Sequence, residues 1–253
     1  MLQRININDI IAIAQKAGDV IMEIYSKDFG VEYKDDKSPL TEADQKANDI
    51  IVDSLNALSV QFPILSEEGK MIPFEERKEW EYFWMVDPLD GTKEFIKKND
   101  EFTVNIALIY NGTPVLGVVY APALNEMYWA KQGDGAFKNK VRLPLLENES
   151  PEKILTVVAS KSHLSEETEI CIAELRETTK ELLFISKGSS LKLCMVAEGS
   201  ADIYPRLAPT MEWDTAAADA IVREAKKMTF EHLKDTALLY NKENLLNPWF
   251  IVR

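Results

Sequence analysis

The segment 102–121, FTVNIALIYNGTPVLGVVYA, restricts the fold more than any other stretch of the chain. It contains two apolar runs of strand length that meet at Asn111-Gly112. An Asn-Gly pair favours the positive backbone φ angles of a tight two-residue turn between antiparallel strands. The segment therefore predicts a β-hairpin, and the runs NEMYWAKQ and GAFKN that follow extend it into an antiparallel meander.

Helical patterns and two short strands precede this hairpin. Apolar residues recur at helical spacing between Ile10 and Ile24, which predicts an amphipathic helix over residues 6–26. A second helix is predicted to begin near Thr41. The apolar runs FPILS and YFWMV predict two strands, and the second is expected to end at Asp87.

The pattern changes beyond a polar segment at residues 144–153, PLLENESPEK. Strand-like runs then alternate with helical patterns over residues 164–176, 189–198 and 214–225. Such alternation is typical of a layered α/β arrangement. We expect two subdomains, 1–150 with helices on an antiparallel sheet and 151–253 of α/β type, with a small-molecule site in the cleft between them.

The charge balance excludes one class of partner. The chain carries 29 Lys and Arg residues against 42 Asp and Glu residues, a formal net charge of −13. A nucleic-acid duplex requires a basic surface, so we expect no such partner. A small anionic ligand is still compatible with this charge, because a few cations or metal ions can dominate a local site.

The cellular location is predicted from the absence of a signal-peptide pattern and of a membrane-spanning apolar run. The opening residues MLQRININDI have neither the basic start nor the long apolar core of a signal peptide. No apolar run approaches the roughly 20 residues that span a bilayer. We expect a cytoplasmic protein without a transmembrane segment, with reduced Cys171 and Cys194. Peripheral association with the inner face of the cell membrane stays open, as does the choice between monomer and homodimer.

Carboxylates stand at the ends of several predicted helices and strands. They are Asp44, Glu67, Glu68, Asp87, Asp90 and Asp214. Carboxylates at the ends of adjacent strands can converge at one sheet edge, where they raise each other's pKa or bind a cation. Hard oxygen ligands of this kind suit Mg²⁺.

Each of these carboxylates also has a purely structural interpretation. Thr41-x-x-Asp44 fits a capping box, and Asp214 fits the N-cap of the helix that follows it. The acids at the two strand ends fit ordinary surface turns. Sequence spacing alone does not decide between these interpretations and a shared site.

Gly91-Thr92 follows the last strand-end acid directly. A glycine allows the backbone to approach a ligand closely. A helix that began here would present free N–H groups and its positive dipole end to an anion such as phosphate. Bound metal ions, a helix end and a water oriented by the Thr92 hydroxyl together favour hydrolysis of a phosphate ester.

Four motifs in this order, TEAD, LSEEG, WMVDPLDGT and EWDTAAADAIV, resemble those of the inositol monophosphatase superfamily of Mg²⁺-dependent, lithium-sensitive phosphatases. The resemblance covers essentially the whole chain. It implies the fold of that superfamily, an α/β (α+β) sandwich with αβαβα layers and a cleft between two subdomains. Within the superfamily, VDPLDGTKEF and GSSLKLCMVAEGSADIYPR are similar to segments of the 3'(2'),5'-bisphosphate nucleotidases.

The resemblance implies a site with two to three Mg²⁺ ions. Their ligands would be Glu67, Asp87, the carbonyl of Leu89, Asp90 and Asp214, with Asp87 shared between two ions. Thr92 and Asp44 would activate the attacking water, and Glu68 would support the catalytic groups from behind the ligands. Around the reacting phosphate, substrate contacts are implied for Glu67, Leu89, Gly91, Thr92 and Asp214.

The rest of a nucleotide substrate would lie against His163, Ser189, Lys192 and Arg206, again by resemblance. The residues themselves support this less strongly. Ser189 stands at a predicted helix start with Lys192 one turn on, and Arg206 lies at a strand end where it would grip a phosphate. Without the resemblance, an ordinary surface position is the favoured interpretation of these three residues, and His163 fits the start of a helix equally well.

We therefore expect a Mg²⁺-dependent enzyme that hydrolyses adenosine 3',5'-bisphosphate to AMP and phosphate, in sulfur assimilation and nucleotide recycling. The alternative is an inositol monophosphatase or a fructose-1,6-bisphosphatase-like sugar phosphatase on the same scaffold. In either case the partner is a small phosphorylated substrate. A third hypothesis, a sensor that binds nucleotide or metal without turnover, is disfavoured because all the proposed ligands and Thr92 are present.

Overall fold

A seven-stranded sheet between Ile64 and Arg142 is the framework of the fold in the computed structural model. The structure describes residues 1–27, 39–145, 154–160 and 164–253, with only the backbone of 39–41. The helices are α1 (Ile7–Tyr25), α2 (Pro39–Asn56), α3 (Phe74–Arg77), α4 (Thr92–Ile96), α5 (Glu166–Thr178), α6 (Leu191–Glu198) and α7 (Trp213–Glu224), after a short 3-10 turn at Leu2–Arg4. The strands of the large sheet are β1 (Ile64–Ser66), β2 (Tyr82–Asp90), β3 (Thr103–Tyr110), β4 (Thr113–Ala121), β5 (Glu126–Lys131), β6 (Gly135–Lys138) and β7 (Val141–Arg142). The smaller sheets contain β8 (Ile154–Ala159) and β9 (Glu181–Ser186), and β10 (Tyr204–Arg206), β11 (Thr229–Glu231) and β12 (Phe250–Val252).

The predicted hairpin is confirmed. β3 and β4 pair antiparallel across Asn111 and Gly112, whose φ angles are 46° and 75°. β5, β6 and β7 continue the meander in chain order. β1 is the exception, because it lies parallel to β2 and thereby brings the ends of both strands to one edge of the sheet.

Both faces of the large sheet are buried, which explains why its central strands are continuously apolar. Along β2, Trp84 and Val86 pack with α1 and α2, whereas Phe83 and Met85 pack with α6 and α7. Alternate residues of a strand point to opposite faces, so one strand contributes to two cores.

A second pair of layers lies beyond α6 and α7. β8 and β9 pair parallel, and Val158 faces the core shared with α6 and α7. Its neighbour Val157 packs instead with Ile172 of α5. The order helices, sheet, helices, sheet, helix is the predicted αβαβα sandwich.

Several predicted boundaries shift. β2 runs on to Asp90 instead of ending at Asp87, and α2 begins at Pro39. The predicted subdomain division at residue 150 falls in a segment outside the described residues. One apolar cluster joins side chains from before and after it, and the division stays a prediction. Cys194 is buried and Cys171 partly exposed, both as free thiols.

Candidate active site

Three carboxylates converge where β1 and β2 end. The parallel register pairs Ser66 with Val86, and the next N–H, that of Glu67, donates to the Val86 carbonyl at 3.1 Å. This places Glu67 beside Asp87. Asp214 arrives from the first turn of α7, and oxygens of the three carboxylates all lie within 4.8 Å of one another.

Asp90 lies next to this group of three. The β2–β3 register shifts between Asp87 and Asp90, and Asp90 Oδ2 accepts the N–H of Ser190 at 2.6 Å. Burial is the main cause that raises the pKa of Glu67, Asp87 and Asp214, and the negative charge of Asp90 is the next largest. For Asp214 the pKa rises to about 7.

Asp44 joins the cluster from α2. It is 8% exposed, and burial together with the charges of Glu68 and Glu67 raises its pKa to about 8. The capping-box interpretation of Asp44 is wrong, because α2 begins at Pro39 and Thr41 therefore lies inside the first turn. Asp44 faces other acids instead of a helix end.

The N-cap interpretation of Asp214 is also wrong. Glu212 occupies the N-cap position of α7, and Asp214 lies within the helix. Its Oδ2 accepts the N–H of Met211 at 2.9 Å, which holds the carboxylate at the start of the helix.

This donor set fits a divalent cation. Carboxylates that are partly withdrawn from water and repel one another favour the protonated form, and a bound cation relieves the same repulsion while they stay ionised. The ligand atoms are hard oxygens, as Mg²⁺ requires, and the exposed side of Glu67 leaves the site open to water and substrate.

A helix begins directly after β2, as the phosphate-binding hypothesis requires. α4 begins at Thr92, with Gly91 as its N-cap at φ 94°. A Cβ at position 91 would stand 3.1 Å from the Cα of Phe102, so the turn requires glycine in both conformation and space. Leu89, buried between the two aspartates, donates its N–H to Asp87 Oδ1 at 3.0 Å.

A cavity of about 200 Å³ opens from the acidic cluster toward the second half of the chain. Seven of the predicted site residues line it: Asp90, Gly91, Thr92, Ser189, Lys192, Arg206 and Asp214. His163 lies outside the described residues, so its predicted nucleotide contact is not described. Glu68 is exposed at the cluster's edge and does not line this cavity.

Lys192 supplies a buried cation to this cavity. Its Nζ donates to the Ser189 carbonyl at 2.5 Å, and the residue is 6% exposed. Burial lowers the pKa of Lys192 to about 8, although Asp90 acts in the opposite direction. A partly desolvated ammonium group of this kind gains strongly from an anionic ligand.

Unsatisfied polar atoms surround the same cavity. Within the described residues, Ser189 Oγ, Arg206 Nε and Thr210 Oγ1 are buried without a hydrogen-bond partner. Buried polar atoms in folded proteins are nearly always bonded. Three unpaired ones around a single cavity therefore indicate a polar ligand with several acceptor atoms.

Thr210 and several other residues that line this cavity were not predicted from the sequence. They include Ser160, Tyr204 and Glu94. Glu94 carries a weak signal, since it stands in the KEF triplet after Gly91-Thr92. Thr210 carries none, because an isolated threonine in a loop is informative only once the fold places it in the wall of the cavity.

The layered fold and its acidic cleft define the class of protein: the chain belongs to the inositol monophosphatase family, whose family model matches residues 4–232. Enzymes of this family depend on metal ions, generally Mg²⁺. Among its members, the chain is similar to 3'(2'),5'-bisphosphate nucleotidase CysQ of Salmonella typhimurium, with 44% identity over 250 residues, 97% of this chain and 98% of the relative. CysQ of Escherichia coli K12 is 44% identical over 253 residues, with the same shares covered.

A solved structure agrees with these sequence relatives. The crystal structure of CysQ from Bacteroides thetaiotaomicron, described as a bacterial member of the inositol monophosphatase family, superposes with a TM-score of 0.91. It is 48% identical, and the match covers 97% of this chain and 96% of that one. Among the described residues, no helix combines the length and apolar character needed to cross a membrane.

Proposed function

We propose that the chain is a Mg²⁺-dependent 3'(2'),5'-bisphosphate nucleotidase that hydrolyses adenosine 3',5'-bisphosphate to AMP and phosphate. One observation carries the choice of substrate. A buried lysine and three unpaired polar atoms line a cavity that opens directly from a cluster of carboxylates. The cluster suits one phosphate with its metal ions, and the part of the cavity lined by Lys192 and Arg206 suits a second phosphate of the same molecule.

Five groups would hold the metal ions: the carboxylates of Glu67, Asp87, Asp90 and Asp214 and the carbonyl of Leu89. The expected number of Mg²⁺ ions is two to three. When bound, the ions polarise the phosphate, neutralise its charge and lower the pKa of a bound water. Asp87, the most deeply buried of the carboxylates and opposite Asn105 on β3, is the natural shared ligand.

The chain's own groups position the reactants around the ions. Gly91 and Thr92 line the cavity, and their backbone would bind the phosphate that is removed. The Thr92 hydroxyl would orient the attacking water, and Asp44 would take its proton. Once ionised, a carboxylate with a raised pKa is a stronger proton acceptor, and burial together with the charges of Glu68 and Glu67 raises the pKa of Asp44.

The second phosphate would be held by Ser189, Lys192 and Arg206. Arg206 already donates from one terminal nitrogen to the Pro209 carbonyl at 2.8 Å, which holds the guanidinium in the cavity wall. Its unpaired Nε and the Ser189 hydroxyl are then available for phosphate oxygens. A substrate without a second phosphate would leave these buried donors unpaired, which is a strong source of discrimination.

A comparison of three substrates tests the proposal. Phosphate release would be measured with Mg²⁺ from adenosine 3',5'-bisphosphate, inositol 1-phosphate and fructose 1,6-bisphosphate at equal enzyme concentration. We expect the highest kcat/KM for the nucleotide. A higher kcat/KM for inositol 1-phosphate or fructose 1,6-bisphosphate would assign the chain to the alternative activity instead.

The cellular setting follows from this substrate. Through removal of adenosine 3',5'-bisphosphate the enzyme would act in sulfur assimilation and nucleotide recycling, and the proposed location is the cytoplasm. Whether the enzyme acts as a monomer or a homodimer stays a prediction, as does the contact of His163 with the nucleotide.

A further inference from the structure

Ser190 lies between the segment proposed to bind the second phosphate and a proposed metal ligand. Its N–H donates to Asp90 Oδ2 at 2.6 Å, across 100 residues of sequence. A hydrogen bond from a backbone N–H to an ionised carboxylate is among the stronger kinds in proteins. One residue away is Ser189, and two residues away is Lys192, both of which line the cavity.

The Ser190 side chain does not cap the helix that it precedes. It occupies the N-cap of α6, where a serine normally accepts an N–H of its own helix, but it makes no such bond. Its Oγ instead donates to Asn105 Oδ1 at 2.8 Å and lies 2.9 Å from the Thr103 hydroxyl, which is therefore the donor of that second bond.

Both partners of the hydroxyl belong to β3 and are almost fully buried. Ser190, Asn105 and Thr103 are 2%, 1% and 0% exposed. Loss of a hydrogen bond at such a buried position destabilises the fold strongly, because water cannot reach the group that has lost its partner. The start of α6 is thus fixed on the large sheet.

The same two residues stand opposite the aspartates of β2. In the antiparallel register, Thr103 pairs with Asp90 and Asn105 pairs with Asp87. The strand that aligns both proposed metal ligands therefore also holds Ser190. Displacement of the Ser190 hydroxyl would move the N–H that orients Asp90, together with the backbone of Ser189.

We propose that Ser190 is a positioning residue that couples the metal site to the second-phosphate site, by fixing Asp90 and the start of α6 on the same strand. The proposal rests on the proposed function, because it assumes metal at Asp90 and phosphate at Lys192. Coupling between two sites is reciprocal, so metal ions should tighten nucleotide binding by the same factor that nucleotide tightens metal binding.

The test measures binding, not turnover. Isothermal titration calorimetry of the metal-free protein would give the Kd of Mg²⁺ with and without saturating AMP, which retains the second phosphate. In the wild type we expect AMP to tighten Mg²⁺ binding by roughly tenfold, within the usual range of such coupling. In Ser190→Ala, which keeps the N–H but loses the hydroxyl, we expect Mg²⁺ binding weaker by about tenfold, and an AMP effect of less than about twofold.

Two variants separate positioning from general damage. Ser190→Thr retains the hydroxyl and should restore both the Mg²⁺ affinity and the AMP effect. Ser200→Ala removes another partly buried serine hydroxyl, just after α6, that bonds Glu198, and should leave both values unchanged. If Ser190→Ala does not fold, as judged by thermal unfolding, Thr103→Val removes one partner of the hydroxyl with little change of shape.

Wild-type Mg²⁺ affinity together with a wild-type AMP effect in Ser190→Ala, or in Thr103→Val if the first variant is unfolded, would overturn the proposal. So would weakened Mg²⁺ binding with the AMP effect intact, since Ser190 would then serve the metal alone. The substrate comparison is a separate measurement. A preference for inositol 1-phosphate in the substrate comparison would refute the nucleotidase assignment. Weaker Mg²⁺ binding in Ser190→Ala would then support only the part of the proposal in which Ser190 positions Asp90.

Discussion

Gly117 of β4 lies against the backbone of Ala217 in α7, whose carbonyl oxygen would stand only 2.0 Å from a Cβ at position 117. The absence of a side chain at this point allows the helix to approach the sheet closely. Because α7 carries Asp214, this contact sets how far that carboxylate reaches toward the ends of β1 and β2.

Gly117→Ala should therefore impair stability and activity together. The helix would have to move away from the sheet, and overpacking of this kind typically costs about 1–3 kcal/mol in the free energy of unfolding. Urea unfolding would measure that loss, and phosphate release would show a lower kcat as Asp214 is displaced. A wild-type free energy of unfolding together with a wild-type kcat would mean that α7 and β4 accommodate the added methyl group without displacement of Asp214.

Asp90→Asn and Asp214→Asn should each abolish most activity while the fold survives. The amide retains an oxygen that can accept from Ser190 or Met211, but it is a poorer metal ligand. Mutation of a residue that hydrogen-bonds a metal ligand typically lowers metal affinity or activity roughly 10–100-fold. Loss of a ligand itself should lower the activity by more than that. Asp235→Asn, at a carboxylate that is 95% exposed, is the matched control. Full turnover by either ligand variant would contradict the metal site, provided that circular dichroism shows normal folding.

Lys192→Ala should discriminate between substrates. Loss of the buried ammonium removes a charged partner of the second phosphate, and we expect kcat/KM for adenosine 3',5'-bisphosphate to fall by roughly 100-fold. Hydrolysis of inositol 1-phosphate should change by less than about threefold, because that substrate has nothing to place there. Lys187→Ala is the control, since Lys187 pairs with Glu101 and does not line the cavity. An equal loss on both substrates would argue against the nucleotide assignment.

The metal-free protein should become more stable as the pH falls from 7.5 to 6. Asp44 and Asp214 have pKa values raised to about 8 and about 7, so in this window the folded state holds protons that the unfolded chain has released. Stability then increases toward lower pH and is lost as the pH rises through these values. Lys192 adds little, because below about 8 its ammonium is protonated in both states.

The size of this effect is measurable by thermal unfolding in the presence of a chelator. Asp44 alone contributes about 2 kcal/mol across that interval, which corresponds to roughly 4–8 °C in Tm for a chain of this size. Asp44→Asn should remove much of the dependence, and saturating Mg²⁺ should flatten it because the cation replaces the protons. A Tm that rises with pH in the metal-free protein would show that Asp44 and Asp214 do not hold protons in the folded state near neutral pH.

Local sequence signals predicted most of the helices and strands, but not α3, β7, β11 or β12. The hairpin at Asn111-Gly112 and the helix from Ile7 to Tyr25 depend on turn chemistry and on apolar periodicity, and both act within a few residues. A helix start at Gly91-Thr92 was considered only as a condition for phosphate binding, and α4 does begin at Thr92 after a glycine with positive φ. Boundaries such as Pro39 and Asp90 were placed less well, because they depend on neighbours that a local pattern does not contain.

In the candidate site, too, local sequence determined some features and tertiary packing determined the others. The sequence alone determined which residue types are available, where strands and helices end, and, through four motifs in order, which family the chain resembles. Whether Glu67, Asp87 and Asp214 meet was decided only by the parallel pairing of β1 with β2 and by the close packing of α7 on β4. The Ser190 link to Asp90 and the place of Thr210 beside the cavity were decided in the same way. For residues as far apart in sequence as these, separation along the chain does not determine separation in space, which is set by how the helices and strands pack.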